Sequence, residues 1–175
     1  MENITRHLLE IFTTLIPSKK VMLMDVDDEY DGQFNLFARI SETETLEDMA
    51  NQLMLELEDR KKGETGHDFI IFIPNLEKFV QASGLTGEQV SALYQEGWKY
   101  NMHFVVGSSY SYISNNAIGS PARQIKAYNQ HYLLGMRLTD QTILEKPYNS
   151  KEPYLNKDEV YLYGRPSSVK LKITI

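Results

Sequence analysis

The chain has 175 residues, and its 18 lysines and arginines against 24 aspartates and glutamates leave a net charge of −6. That length suits one domain spanning residues 1–175 with a sizeable core, and the acidic balance argues against a broad phosphate-binding face and makes nucleic acid an unexpected partner. The lack of cysteine excludes disulfides and thiolate chemistry, His7, His67, His103 and His131 show no short metal-ligand spacing, and no run approaches the roughly 18 apolar residues that would cross a bilayer.

Met1-Glu2-Asn3 shows no basic region followed by an apolar one, so no secretory signal is expected. A first helix is predicted over Ile4 to Leu15, with Ile4, Leu8, Ile11, Phe12 and Leu15 as its apolar stripe, Asn3 as cap and Pro17 as stop. Val21-Met22-Leu23-Met24 reads as a short buried strand ending at Asp25, Asp27 and Asp28, and the polar loop Glu29 to Gln33 contains Gly32. Thr45 and Asp48 resemble a capping box for a second helix with Leu46, Met49, Ala50, Leu53, Met54 and Leu57 inward. Glu56, Glu58, Asp59, Arg60, Lys61 and Lys62 mark its solvated end. The methionines read as core filling.

The run Phe69-Ile70-Ile71-Phe72-Ile73 is a strand covered on both faces, and Pro74 stops it because a ladder donor is missing. Asn75 is expected to cap a short helix over Leu76 to Val80. Thr86 with Gln89 opens another, whose apolar side takes Val90, Leu93, Tyr94 and Trp98. Met102 to Val106 returns to a strand ended by Gly107-Ser108-Ser109. The polar stretch Tyr110 to Ser120 carries little periodicity, and Pro121 starts a helix through Gln124, Ile125 and Tyr128. His131 to Met136 is a strand, followed by a helical turn over Asp140 to Leu144 and a surface loop over Tyr148 to Lys157. Val160 to Tyr163 and Val169 to Ile175 bracket Gly164-Arg165-Pro166-Ser167-Ser168 as a hairpin. In its second strand Val169, Leu171, Ile173 and Ile175 alternate with Lys170, Lys172 and Thr174, which places the apolar side against the body. The whole reads as an α/β sandwich with a mainly parallel sheet and an antiparallel C-terminal edge.

Open α/β sheets place their chemistry at the carboxyl ends of the strands. Many nucleotide-hydrolysing domains have two acids after the central strand. Here Pro74 has no ionisable group and Asn75 carries no charge. Gly63-Glu64-Thr65-Gly66 lacks the lysine and hydroxyl of a phosphate loop and reads as a surface turn, as do Gly84 and Gly87. Asp25, Asp27 and Asp28 lack the spacing and glycine of a calcium loop, and no nucleophile elbow supports a triad of Ser108, His103 and Asp140. Trp98, Tyr110 and Tyr112 are candidate partner-binding aromatics, with domain packing as the equal alternative.

In order and spacing, Val21 to Asp25, Leu46 to Arg60, the Phe69 strand, Trp98 to Val106, Leu138 to Leu144 and Asp158 to Gly164 together resemble the FtsK/SpoIIIE family of motor ATPases, most closely its membrane-anchored type VII secretion members. The resemblance covers nearly the whole chain. It implies an incomplete RecA-like P-loop NTPase three-layer sandwich whose phosphate-loop strand is not in this sequence. Pro74 and Asn75 then stand where the family has its two acids, Ser108 and Ser109 where it has a sensor pair, and Arg123 and Arg137 are possible inter-domain sensors. The local alternatives are loop or helix capping for the serines and ordinary salt bridges for the arginines. The implied function is a non-catalytic regulatory or substrate-recognition module of a secretion motor. The alternatives are a fragment of an ATP-hydrolysing domain or of a DNA-translocating relative. No cofactor is expected for this chain, with ATP and magnesium belonging to the complete parent. Implied partners are the preceding ATPase domains, secreted helical-hairpin proteins with C-terminal signals, and a second copy of the chain. The implied location is the cytoplasmic side of the membrane.

Overall fold

The structure is a computed structural model that describes residues 2–17, 20–30, 34, 36–64, 66–129, 131–144, 152–156, 159–164 and 167–172. The readings placed on Gly32, Thr65, Tyr148, Lys157, Asp158, Arg165, Pro166, Ile173, Thr174 and Ile175 lie outside these residues.

Four parallel strands form the central sheet: β1 (Val21–Met24), β2 (Ala38–Ile40), β3 (Phe69–Ile73) and β4 (Met102–Val106), in the order β2-β1-β3-β4. Side chains alternate between its two covered faces. Met22, Met24, Ile71 and Ile73 enter one apolar cluster, beneath α2 (Thr43–Lys61), α3 (Leu76–Ala82), α4 (Gly87–Gly97) and α6 (Pro121–Tyr128). Val21, Leu23 and Phe72 enter the other, beneath Leu8, Leu9 and Phe12 of α1 (Glu2–Leu15). This is the expected three-layer arrangement. β2 was not foreseen: three residues leave no periodicity to read.

Several boundaries differ from expectation. Asn3 lies inside α1. α2 begins at Thr43 behind Glu42, which makes no side-chain cap bond, so Thr45 is within the helix. Thr86 and Gln89 do form a reciprocal capping box at α4. The stretch after β4 contains a single turn, α5 (Tyr110–Ile113), capped by Ser109. Leu138–Asp140 is a 3-10 turn.

The C-terminal strands form the expected antiparallel hairpin, and the correction is to where it lies. β5 (His131–Leu134) pairs antiparallel with β6 (Glu159–Gly164), and β6 with β7 (Ser167–Lys172), giving a separate three-stranded sheet and not an edge of the parallel one. On β7, Val169 is 53% and Leu171 37% exposed, while Lys170 pairs with Glu159 at 2.7 Å. The expected inward face of β7 therefore meets solvent. The lysine finds a partner on β6 that alternation alone does not reveal.

At the amino end of the parallel sheet, Arg60 is buried and not solvated. Its guanidinium bonds Glu56 Oε1 (2.7 Å) and the carbonyls of Tyr100 (2.6 Å) and His67 (3.0 Å), and lies 5.0 Å from the Phe69 ring centroid. A Cβ on Gly66 would stand 2.0 Å from that guanidinium, so the close approach requires glycine.

Candidate functional site

The carboxyl ends of β1, β3 and β4 meet where an open parallel sheet offers its chemistry. Pro74 ends β3, and its carbonyl presses on Gly107 just past β4: a Cβ there would lie 2.2 Å from Pro74 O. Gly107 N–H donates to Ile73 O (2.7 Å), and Gly107 O accepts from Leu76 N–H (2.9 Å). The two strand ends are thus closed on each other.

Asn75 is the N-cap of α3, its Oδ1 accepting from Lys78 N–H at 3.2 Å. Its Nδ2 donates to Asp27 Oδ2 at 3.0 Å, and the Lys78 ammonium pairs with the same carboxylate. That bond raises the Lys78 pKa. Beside it, fully buried Asp25 accepts from the N–H groups of Glu29 (3.0 Å) and Tyr30 (2.9 Å) and from Arg39 Nε (2.8 Å). Asp28, at φ +56°, turns its carboxylate to the same guanidinium. Burial works against the Arg39 charge, but the bonds from Asp28 and Asp25 outweigh it and raise its pKa. Asp25 and Asp28 thus share Arg39, while Asp27 is held by Asn75 and Lys78. Among the described residues no group of three or more metal-ligating side chains is assembled. Pro74 and Asn75 offer Mg²⁺ no carboxylate at the two positions directly after β3, and the nearby Asp27 is already held by Asn75 and Lys78, so these residues do not fit an ATP-magnesium site.

Ser109 Oγ accepts from Tyr112 N–H at 3.2 Å, and Ser108 Oγ donates to Ser109 O at 3.3 Å. Tyr110 OH meets Thr142, and Tyr112 is half-buried on the core. Burial and then the Glu77 charge raise the Tyr112 pKa. Trp98 is 61% exposed in a 3-10 turn (Trp98–Tyr100) at the amino end of β4. Five strand residues, roughly 17 Å at about 3.3 Å each, separate its end of the sheet from the Tyr110 to Tyr112 end. The candidate aromatics therefore do not form one surface. Tyr94 packs inward, unlike Trp98: its ring is 6.1 Å from that of Phe104, and its OH donates to Asn129 Oδ1 at 2.9 Å. Burial, with a smaller push from Tyr132, raises the Tyr94 pKa to about 12.

Arg137 makes two bonds with Asp140 (2.7 and 2.8 Å) and stacks 3.8 Å from the Tyr154 ring centroid, whereas Arg123 is exposed on α6. A polar hollow of about 280 Å³, lined by Arg60, Glu64, Gly66, Lys99, Tyr100 and Asn101, opens at the amino end, away from Pro74 and Asn75. Sequence reasoning missed Arg39, Arg60 and Gly107 as organising residues. Only Gly107, directly after an apolar strand, left a readable signal.

No protein-family model matches the chain. It is 24% identical over 181 aligned residues to the type VII secretion system protein EssC of Staphylococcus aureus (strain MRSA252), an alignment covering 99% of this chain and 12% of that protein. Among solved structures, EssC (ATPases 2 and 3) from Geobacillus thermodenitrificans superposes with a TM-score of 0.68 at 15% identity, covering 98% of this chain and 34% of the other. The cytoplasmic domain of the Thermomonospora curvata type VII secretion ATPase EccC gives 0.69 at 14%, covering 98% and 22%. Thermomonospora curvata EccC (ATPases 2 and 3) in complex with a signal sequence peptide gives 0.65 at 11%, covering 95% and 34%. These structural likenesses establish the fold.

Proposed function

From the premise that this chain resembles EssC along its whole length and has the fold of EssC and EccC ATPase domains, of the general FtsK/SpoIIIE kind, we propose that it is a non-catalytic regulatory or substrate-recognition module of a type VII secretion motor. The observation that carries this reading is the Asp27–Asn75–Lys78 cluster. At the position where the family resemblance puts a catalytic acid stands an amide whose donor is used internally. ATP and magnesium belong to catalytic domains elsewhere in the parent, and the parent's membrane association does not come from this chain's described helices, none of which is long and apolar enough to cross a bilayer. Calorimetry with millimolar ATP-Mg²⁺ should show no saturable heat. A one-site isotherm that disappears when Asn75 or Ser108 is changed would overturn the reading.

The recognition role is supported by the EccC relative solved with a signal sequence peptide and by Trp98, an exposed aromatic of the kind that anchors interfaces. Peptides carrying C-terminal secretion signals should bind the wild-type chain and bind Trp98→Ala more weakly, with circular dichroism and thermal unfolding showing both folded. Undiminished affinity in folded Trp98→Ala would move the site away from Trp98.

A second reading, a fragment of an ATP-hydrolysing domain, is favoured by one observation: the parallel sheet stops at β4 with its outer side free of any strand among the described residues. A phosphate-loop strand from the parent would pair there. Fusing the parent's preceding segment and finding ATP hydrolysis would select that reading.

A further inference from the structure

Residues 138–144, just after β5, fold into a compact plug around Gln141, which has no exposed surface. Its Nε2 donates to the carbonyls of Leu138 (2.9 Å) and Leu144 (3.1 Å), and its Oε1 accepts from the N–H groups of Ile143 (2.6 Å) and Leu144 (2.7 Å). With both ends of the amide used, and with Leu138 and Leu144 buried beside it, the plug is rigid.

Two sets of contacts leave this plug. Toward the C-terminal sheet, Thr139 N–H donates to Glu152 Oε2 (3.1 Å) and Arg137, held by Asp140, stacks on Tyr154. The Tyr154 carbonyl accepts from Lys170 of β7 (3.4 Å), whose ammonium pairs with Glu159 of β6. Toward the parallel sheet, where the Tyr132 hydroxyl of β5 also donates to Lys126 O of α6 at 2.9 Å, one polar contact of the plug is the Tyr110 phenol. Its oxygen accepts from Thr142 N–H at 3.1 Å and shares a hydrogen bond with Thr142 Oγ1 at 3.1 Å. Tyr110 opens α5, which lies three residues beyond the end of β4.

We infer that Tyr110 is a releasable pin that docks the plug, and through it the three-stranded sheet, on the carboxyl end of the parallel sheet. The bonds at the pin are exposed while those inside the plug are largely buried, so the pin opens more readily than the plug does. Displacement of α5 is then passed to β6 and β7 by a body that moves as one piece, which is the kind of element coupling requires.

Native-state hydrogen exchange on the full chain, wild type against Tyr110→Phe, tests this. Removing the phenol oxygen leaves the Thr142 N–H without its acceptor, and its exchange should rise about tenfold or more. The amides of β6 and β7 should rise together by about threefold to fivefold, and those of β1 and β3 should not change. Faster exchange at Thr142 alone overturns the inference, because the pin would then be local. An equal rise in every strand overturns it too, because the change would then be general destabilisation. Thr142→Ala keeps the N–H bond and removes only the hydroxyl partner. It should give the same pattern at smaller amplitude, and it decides the matter if the phenylalanine variant does not fold.

Discussion

Placing an acid where the family resemblance expects one should weaken this chain rather than equip it. In Asn75→Asp the N-cap bond to Lys78 N–H survives, since aspartate caps as well as asparagine. What changes is the 3.0 Å bond from Nδ2 to Asp27 Oδ2. Losing that charge-assisted bond costs about 1.5 kcal/mol. Facing two carboxylates about 4 Å apart adds roughly 1 kcal/mol in a water-like medium. The neighbouring Lys78 ammonium and the α3 N-terminus offset a part of this. The net loss is about 2 kcal/mol, or a fall in Tm of roughly 4–8 °C for a domain of this size. The sign with pH is fixed by linkage. The facing carboxylates hold a shared proton more tightly than isolated acids, so the pair's folded pKa is raised. Its deficit is absent below about pH 4, the ordinary carboxylate value, and grows as pH rises through the raised value. Thermal unfolding by circular dichroism at pH 7 and pH 4 measures this, with Asp27→Asn/Asn75→Asp as the control that removes the repulsion. A variant as stable as wild type at pH 7, or a deficit that the second substitution leaves unchanged, would refute the reasoning.

Gly107→Ala should be severely destabilising, by about 3 kcal/mol or more, since its Cβ would sit 2.2 Å from a carbonyl that cannot move without parting β3 from α3; the midpoint of denaturant unfolding reports it. Arg60→Ala should cost about 2–3 kcal/mol, because it leaves two partly buried carbonyls without their donor while exposed Glu56 returns to water, again read from chemical unfolding. Tyr94, whose pKa is raised to about 12, contributes stability that is complete below about pH 10 and lost as pH rises through 12. Tyr94→Phe should flatten the fall in Tm over that window.

The parallel core was legible because both-face burial writes itself as unbroken apolar runs, as in Phe69 to Ile73. Asn75 and Thr86 were legible as caps because a cap acts within three residues. What stayed hidden depends on distant partners. Arg60 in a charged helix end resembles its solvated neighbours until Tyr100 and His67 bring carbonyls to it. The alternation on β7 told which residues share a face, but not which face meets solvent, since Glu159 on β6 draws Lys170 to the side assumed to be exposed. At the candidate site, Pro74 and Asn75 could be read directly as uncharged residues after the central strand, whereas the Asp27 latch joins residues 48 positions apart.

The closure of β3 on β4 at both ends bears on how the sheet responds to force. Arg60 grips the carbonyls flanking their amino ends, and Gly107 locks against Ile73, Pro74 and Leu76 at their carboxyl ends. Between these fastenings the strands run parallel through the register Phe69–Met102 to Ile73–Val106. Tension that pulls one strand along the other meets all of these hydrogen bonds side by side, in shear, and none can peel away first. On this geometry the paired strands form a stiff link, able to pass traction along a polypeptide without stretching.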